Sequence, residues 1–138
     1  KAVRLKLSVV KHLIKGKRVI VVDDSIVRGT TSKKIVRLLR DAGAVEVHFR
    51  SAAPPIMFPC FYGIDTSTKK ELLAANMSME EMTQFMGVDS LAFLTVEEMQ
   101  ACIAINETGE RATTCTACFT GNYLTRLYED MINFQEKC

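Results

Sequence analysis

The hydrophobic pattern of the chain contains four successive apolar residues at positions 19–22, and Asp23 and Asp24 follow them directly. Such an unbroken run is typical of a parallel strand that is buried on both faces. A helix is predicted next, because apolar residues recur at i, i+3, i+4 and i+7 and Gly43 then provides a natural stop. The residues on the apolar face of this predicted helix are Ile35, Leu38, Leu39 and Ala42.

A second strand is predicted where Val45, Val47 and Phe49 alternate with polar residues that include His48. Strand, helix and strand in this order form a βαβ unit, for which a right-handed crossover is expected. The sequence therefore predicts an α/β fold with a parallel sheet flanked by helices.

Shorter elements are predicted further along the chain. They are a helix at 69–75, a helix at 79–86, a strand at 90–94, a helix ending near residue 103 and a final helix at 123–134. Two of these helices begin with a capping-box signature, which pairs Ser78 with Glu81 and Thr95 with Glu98. Cys102 lies within the second of them and is predicted to be a core residue. Residues 104–114 are predicted to form a long loop.

The segment after the first strand carries the candidate chemistry. Asp23 and Asp24 stand at the carboxyl end of a predicted parallel strand, where open α/β sheets bind their ligands. Consecutive strand residues point to opposite sides, so the pair is not expected to share one proton. Carboxylates placed in this way are suited to binding vicinal hydroxyls, directly or through a hydrated Mg²⁺.

The residues that follow the aspartates are typical of a phosphate-binding loop. Gly29 allows close approach of the backbone to a phosphate, and the N–H groups of a starting helix point towards it. Hydroxyl donors with helix N-cap character are Thr30, Thr31 and Ser32. Arg28 either adds positive charge or lies in solvent. The simpler interpretation is an ordinary strand–loop–helix unit whose aspartates only cap the helix, but the complete run favours a phosphorylated sugar.

The stretch 19–32 resembles the phosphoribosyl pyrophosphate (PRPP) binding motif of the type I phosphoribosyltransferases. The resemblance implies the fold of that family, and it implies that Asp23 and Asp24 hold the ribose hydroxyls and Mg²⁺. The loop around the 5′-phosphate would consist of Ser25, Val27, Arg28, Gly29, Thr30 and Thr31.

Two later segments make the resemblance more specific. Residues 53–66 and 115–123 are similar to the glutamine PRPP amidotransferases, or amidophosphoribosyltransferases. Four cysteines hold a 4Fe–4S cluster in one branch of that family, and Cys60, Cys115 and Cys118 match three of those positions. The fourth ligand is then expected upstream of Lys1. By itself the Cys-x-x-Cys spacing also fits a redox-active pair, a structural pair or a zinc site completed by one of the two histidines.

The resemblance implies a glycosyltransferase that moves ammonia from glutamine to PRPP and forms 5-phosphoribosylamine, pyrophosphate and glutamate. This is the first step of de novo purine synthesis, for which purine nucleotides are the expected feedback inhibitors, and a homo-oligomer is expected. Residues 1–138 would be an incomplete, C-terminal portion of the phosphoribosyltransferase domain. The first part of that domain and a glutaminase domain with the catalytic nucleophile are expected upstream, so the piece alone is expected to be inactive.

Composition restricts the alternatives. A net charge of +2 over 138 residues does not favour a nucleic-acid partner or an anionic membrane. Five cysteines without a secretory signal favour a reducing compartment, and a cytoplasmic location is expected. A PRPP-sensing regulatory protein of the same fold and a nucleobase phosphoribosyltransferase remain as alternatives, but neither uses the cysteine set.

Overall fold

The sheet has three parallel strands, and the computed structural model describes residues 8–66, 68–103 and 114–125. The strands are β1 (Arg18–Asp23), β2 (Glu46–Ser51) and β3 (Ser90–Phe93), in the spatial order β1–β2–β3. The register places Val21 beside Phe49 and Phe49 beside Leu91. The predicted α/β fold with a parallel sheet is therefore confirmed.

Six α-helices accompany the sheet in the described residues. They are α1 (Lys11–Ile14), α2 (Thr30–Asp41), α3 (Leu73–Asn76), α4 (Met79–Met86), α5 (Val96–Cys102) and α6 (Ala117–Thr120). Both predicted capping boxes are present, since Ser78 and Glu81 exchange hydrogen bonds, as do Thr95 and Glu98. No helix in these ranges is both long and apolar enough to cross a membrane.

The predicted helix at 69–75 is divided into a 3-10 turn, Lys69–Glu71, and α3. Leu72 between them is extended and fully buried. The side-chain amide of Asn76 donates to the carbonyls of Lys69 at 2.8 Å and Leu72 at 2.7 Å. In a continuous helix these carbonyls would accept hydrogen bonds from backbone N–H groups. Periodicity alone does not reveal this break.

The core lies on one side of the sheet. Val47 and Phe49 of β2 are completely buried, and they pack with Val36 of α2 and with Met82 and Met86 of α4. Burial of each such side chain contributes about 1.5–3 kcal/mol to folding. The predicted apolar face of α2 is partly correct, because Leu39 and Ala42 are buried while Ile35 and Leu38 are only half-buried.

Two predictions of burial are wrong for the described structure. Alternate residues of β1 face away from the core, and Ile20 is 67% and Val22 is 72% exposed, whereas Val19 and Val21 pack against the core. The described helices cover only the face of this strand that carries Val19 and Val21. Cys102 is exposed because it lies on the solvent side of α5.

The predicted final helix falls mostly outside the described residues, as does most of the predicted loop at 104–114. Its first three positions, 123–125, are described and are not helical.

Asp89 supports a pH-dependent link between β2 and the turn before β3. Its carboxylate accepts the backbone N–H of Val47 at 2.6 Å and a guanidinium N–H of Arg40 at 2.6 Å, and these contacts lower the pKa of Asp89. A carboxyl with a lowered folded pKa stabilises the fold above its unfolded pKa of about 3.9. That stabilisation is lost as the pH falls through the folded pKa.

We therefore expect Asp89→Asn to lower the free energy of unfolding near pH 7 by about 1 kcal/mol, a modest value because the side chain is 38% exposed. Denaturant unfolding near pH 7 and again at about pH 3 measures the change. The difference from wild type should shrink at the lower pH. Asp41→Asn is the matched control, since its contact with Arg37 is long, at 4.0 Å, and exposed. An equal loss at both pH values would contradict the role given to the carboxylate.

Candidate functional site

A pocket of about 280 Å³ opens at the carboxyl end of β1. The residues that line it are Asp23, Asp24, Ser25, Val27, Arg28, Gly29, Thr30, Thr31 and Ser32. Every residue predicted to contact PRPP is among them, and Ser32 is added. The structure thus brings the predicted residues around one space, while their binding of PRPP stays a prediction.

The two aspartates are held at the start of the loop by local hydrogen bonds. The N–H of Asp24 donates to the carboxylate of Asp23 at 3.1 Å, and the N–H of Ser25 donates to the carboxylate of Asp24 at 2.7 Å. Asp23 is half-buried and Asp24 is exposed. These bonds restrict how both carboxylates can turn, which suits them to binding hydroxyls or a hydrated cation at a fixed place.

The N-terminus of α2 also lines the pocket. The N-cap residue is Gly29, with a φ of 68°, and no side chain caps the helix. The prediction that Thr30, Thr31 and Ser32 supply the N-cap is therefore wrong, because the helix already begins at Thr30. A twelve-residue helix directs its first N–H groups and the positive end of its dipole at the pocket, which favours an anion there.

Arg28 lies at the rim of the pocket and is paired with Glu71 of the 3-10 turn. Its Nε and Nη2 atoms donate to the same carboxylate oxygen of Glu71, at 3.0 Å and 2.5 Å. The hydrogen bond to Glu71 raises the pKa of Arg28, whose guanidinium is charged at any ordinary pH. The sequence placed Arg28 in the phosphate loop only through the family resemblance, and it gave no sign of Glu71, since no local pattern links residues 43 positions apart.

The second predicted site, that of the cysteines, lies between two chain segments. Cys60 and Cys118 are half-buried and Cys115 is exposed. Burial raises the pKa of the Cys118 thiol, and the neighbouring Cys60 and Cys115 raise it further. Cys118 is therefore close enough to both other cysteines to be influenced by them, and a bound metal would reverse this effect by stabilising the thiolate.

The two cysteine segments are joined by backbone and side-chain hydrogen bonds. The carbonyl of Cys118 accepts the N–H groups of both Met57 and Phe58 at 3.0 Å. The hydroxyl of Tyr123 donates to the carbonyl of Pro59 at 2.5 Å, and the hydroxyl of Tyr62 accepts the N–H of Leu124 at 2.9 Å. These contacts fix Cys60 and Cys118 on facing segments.

The three cysteines provide soft sulfur donors, which suit an iron–sulfur cluster or a zinc ion. Across the described ranges, no three His, Cys, Asp or Glu side chains are arranged to hold one metal ion. His48 uses both ring nitrogens in hydrogen bonds, to Glu46 at 2.9 Å and to Ser90 at 2.8 Å, so it is not available to complete a zinc site. Each thiolate of a cluster binds a different iron, so its ligands lie farther apart than those of one ion.

Comparison with known proteins gives close relatives but no matching family model. The amidophosphoribosyltransferase of Bacillus subtilis is 53% identical over 130 residues, which are 94% of this chain and 27% of that protein. Chloroplastic amidophosphoribosyltransferase 2 of Arabidopsis thaliana is 53% identical over 131 residues, or 94% of this chain and 22% of that protein.

A solved structure also matches. It is that of glutamine PRPP amidotransferase from B. subtilis complexed with ADP and GMP, with a TM-score of 0.79 and 50% identity over 94% of this chain and 30% of that one. The chain thus spans between 22 and 30% of the length of these proteins.

Proposed function

We propose that this chain, which is homologous to a segment of the amidophosphoribosyltransferases, forms the PRPP-binding part of such an enzyme. The observation that supports the proposal most directly is the pocket at the end of β1. Two carboxylates and an uncapped helix N-terminus both line it. A sugar with vicinal hydroxyls and a phosphate can use both kinds of group, the carboxylates for its hydroxyls and the helix N–H groups for its phosphate.

In the proposed complex, Asp23 and Asp24 accept hydrogen bonds from the ribose hydroxyls and hold Mg²⁺. The cation would supply charge neutralisation for the pyrophosphate. The backbone N–H groups of the first turn of α2 and the hydroxyls of Thr30 and Thr31 bind the 5′-phosphate. Ser25, Val27, Arg28 and Gly29 shape the rest of the loop.

The proposed reaction is the attack of ammonia on the anomeric carbon of PRPP. The carbon–nitrogen bond forms, the bond from this carbon to the pyrophosphate oxygen breaks, pyrophosphate leaves, and the new amine loses a proton. Charge develops on the sugar as the bond breaks, so fixed carboxylates and correct orientation are the main contributions of this segment. Asp23 and Asp24 are then binding and electrostatic groups rather than proton carriers.

The whole enzyme requires parts that lie outside residues 1–138. We propose that this chain is the C-terminal portion of the phosphoribosyltransferase domain. A glutaminase domain that releases ammonia, with its catalytic nucleophile, and the first part of the phosphoribosyltransferase domain would precede it in the full-length protein. A homo-oligomer in the cytoplasm is part of the same proposal. The similar B. subtilis structure is complexed with ADP and GMP, which supports purine nucleotides as regulators.

Cys60, Cys115 and Cys118 are proposed to hold a 4Fe–4S cluster, with a fourth cysteine upstream. Soft thiolate ligands from two facing segments support this assignment. The cluster would have a structural role, because the proposed reaction transfers no electron.

The experiment that tests the proposed function supplies the full-length protein with PRPP, Mg²⁺ and an ammonium salt, and it measures pyrophosphate release. Ammonium replaces glutamine, so the result does not depend on the glutaminase domain. With ammonium we expect pyrophosphate to be released from PRPP. When a nucleobase is supplied instead of ammonium, we expect no nucleotide to form. PRPP binding without turnover would instead favour a regulatory protein, and nucleotide formation would favour a nucleobase phosphoribosyltransferase.

A further inference from the structure

The phosphate loop is attached to the segment at 71–73 by three different contacts. The N–H of Leu73 donates to the carbonyl of Val27 at 2.8 Å. Arg28 forms its ion pair with Glu71. Gly29 packs so closely that a Cβ atom there would lie 2.7 Å from the Leu73 side chain. Three successive loop residues are thus positioned by a short segment that is distant in sequence.

The Arg28–Glu71 pair is suited to orienting the guanidinium rather than to stabilising the fold. Both side chains are more than 40% exposed, and exposed ion pairs contribute little stability. The geometry is nevertheless well defined, because Nε and Nη2 donate to one oxygen. A guanidinium has five N–H donors in a rigid plane. Glu71 uses two of them, so the remaining donors of Arg28 keep a fixed direction at the pocket rim.

We infer that Glu71 is a positioning residue for phosphate binding, acting through Arg28. The inference rests on the proposed function and adds a residue that does not itself line the pocket. Arg28 does line it, and a long arginine side chain loses much conformational freedom when it binds an anion. Because Glu71 already restricts that freedom, a phosphorylated sugar meets a preorganised loop and binds more tightly.

The carboxylate of Glu71 also has a contrary effect. Its negative charge lowers the positive potential at the rim, which by itself would weaken binding of an anion. Salt and water screen this effect because the side chain is exposed, whereas the orientation of Arg28 is a matter of direct contact. Orientation of Arg28 strengthens phosphate binding and the charge of Glu71 weakens it, so the KM for PRPP in a Glu71 variant shows which effect is larger.

We expect Glu71→Gln in the full-length protein to raise the KM for PRPP about five- to tenfold and to change kcat less than about twofold. Gln keeps the length of the side chain and an acceptor oxygen but removes the negative charge, so the bonds from Arg28 lose the ion-pair attraction and hold the guanidinium less firmly. Initial rates with ammonium over a range of PRPP concentrations provide both constants. Glu80→Gln, an exposed change on α4 away from the pocket, is the matched control and should leave both constants unchanged.

A double-mutant cycle separates positioning from a general structural effect. In an Arg28→Gln background, Glu71→Gln should have no further effect on KM, because the group that it positions is already absent. Glu71→Asp provides a second variant, which keeps the negative charge on a side chain shorter by one methylene. Its KM for PRPP is expected to lie between those of the wild type and Glu71→Gln.

The outcomes are distinguishable from those that test the proposed function. A lowered or unchanged KM in Glu71→Gln, or the same increase in both Arg28 backgrounds, would overturn the inference while leaving PRPP binding by the loop intact. A wild-type protein that does not bind PRPP in a calorimetric titration would overturn the proposed function, and this inference with it.

Discussion

Replacing Asp23 and Asp24 together with asparagine is expected to abolish PRPP turnover and to leave glutamine hydrolysis measurable in the full-length protein. The amides keep the size of the side chains but remove the charges that would hold Mg²⁺ and the ribose hydroxyls. A hydrogen bond to a charged group contributes about 1.5–3 kcal/mol, so the loss of two such groups corresponds to about 10²- to 10⁴-fold in kcat/KM.

The measurement compares pyrophosphate release from PRPP with glutamate release from glutamine in the same preparation. Retained glutaminase activity shows that the protein is folded, so the loss can be assigned to the PRPP site. Asp41→Asn at the far end of α2 removes an exposed carboxylate that does not line the pocket, and it should not alter either rate. PRPP kinetics that are unchanged in the double variant would be incompatible with the proposed role of this pair.

Cys118→Ser is expected to remove most of the bound iron from the full-length protein. Cys118 is held in place, since its carbonyl accepts the N–H groups of Met57 and Phe58 and its thiol is half-buried near the other two cysteines. A serine hydroxyl is a hard, weakly acidic ligand that replaces a thiolate poorly on iron. Because metal binding is coupled to folding, the variant should also unfold at a lower temperature than the wild type.

Iron and sulfide content, the visible absorption of the cluster and the unfolding temperature, all measured without oxygen, test this prediction. Cys102→Ser is the matched control, because Cys102 is an exposed cysteine on α5. It should keep the iron content and the absorption of the wild type. Equal iron in both serine variants, or a wild-type protein without iron and sulfide, would show that these cysteines do not hold a cluster.

Local features of this fold were predictable from the sequence. The alternation in β2, the two capping boxes and the strand–loop–helix around Asp23 and Asp24 depend on neighbours within a few residues. Strand and helix periods are set by backbone geometry, so apolar spacing shows which kind of element forms and where it begins. Most pocket residues were named through the family resemblance of the stretch 19–32, which was possible because they lie close together in the chain.

The tertiary structure decided which surfaces are covered and which distant side chains meet. Helices of the described ranges cover the face of β1 that carries Val19 and Val21, and no local pattern distinguished this face from the other. The tertiary structure also paired Arg28 with Glu71. Such contacts depend on how whole elements pack, and a sequence pattern with a range of one or two helical turns carries no information about them. The sequence by itself therefore determined the strand, the loop and the acidic pair, whereas tertiary contacts with the segment at 71–73 determined how the loop is held.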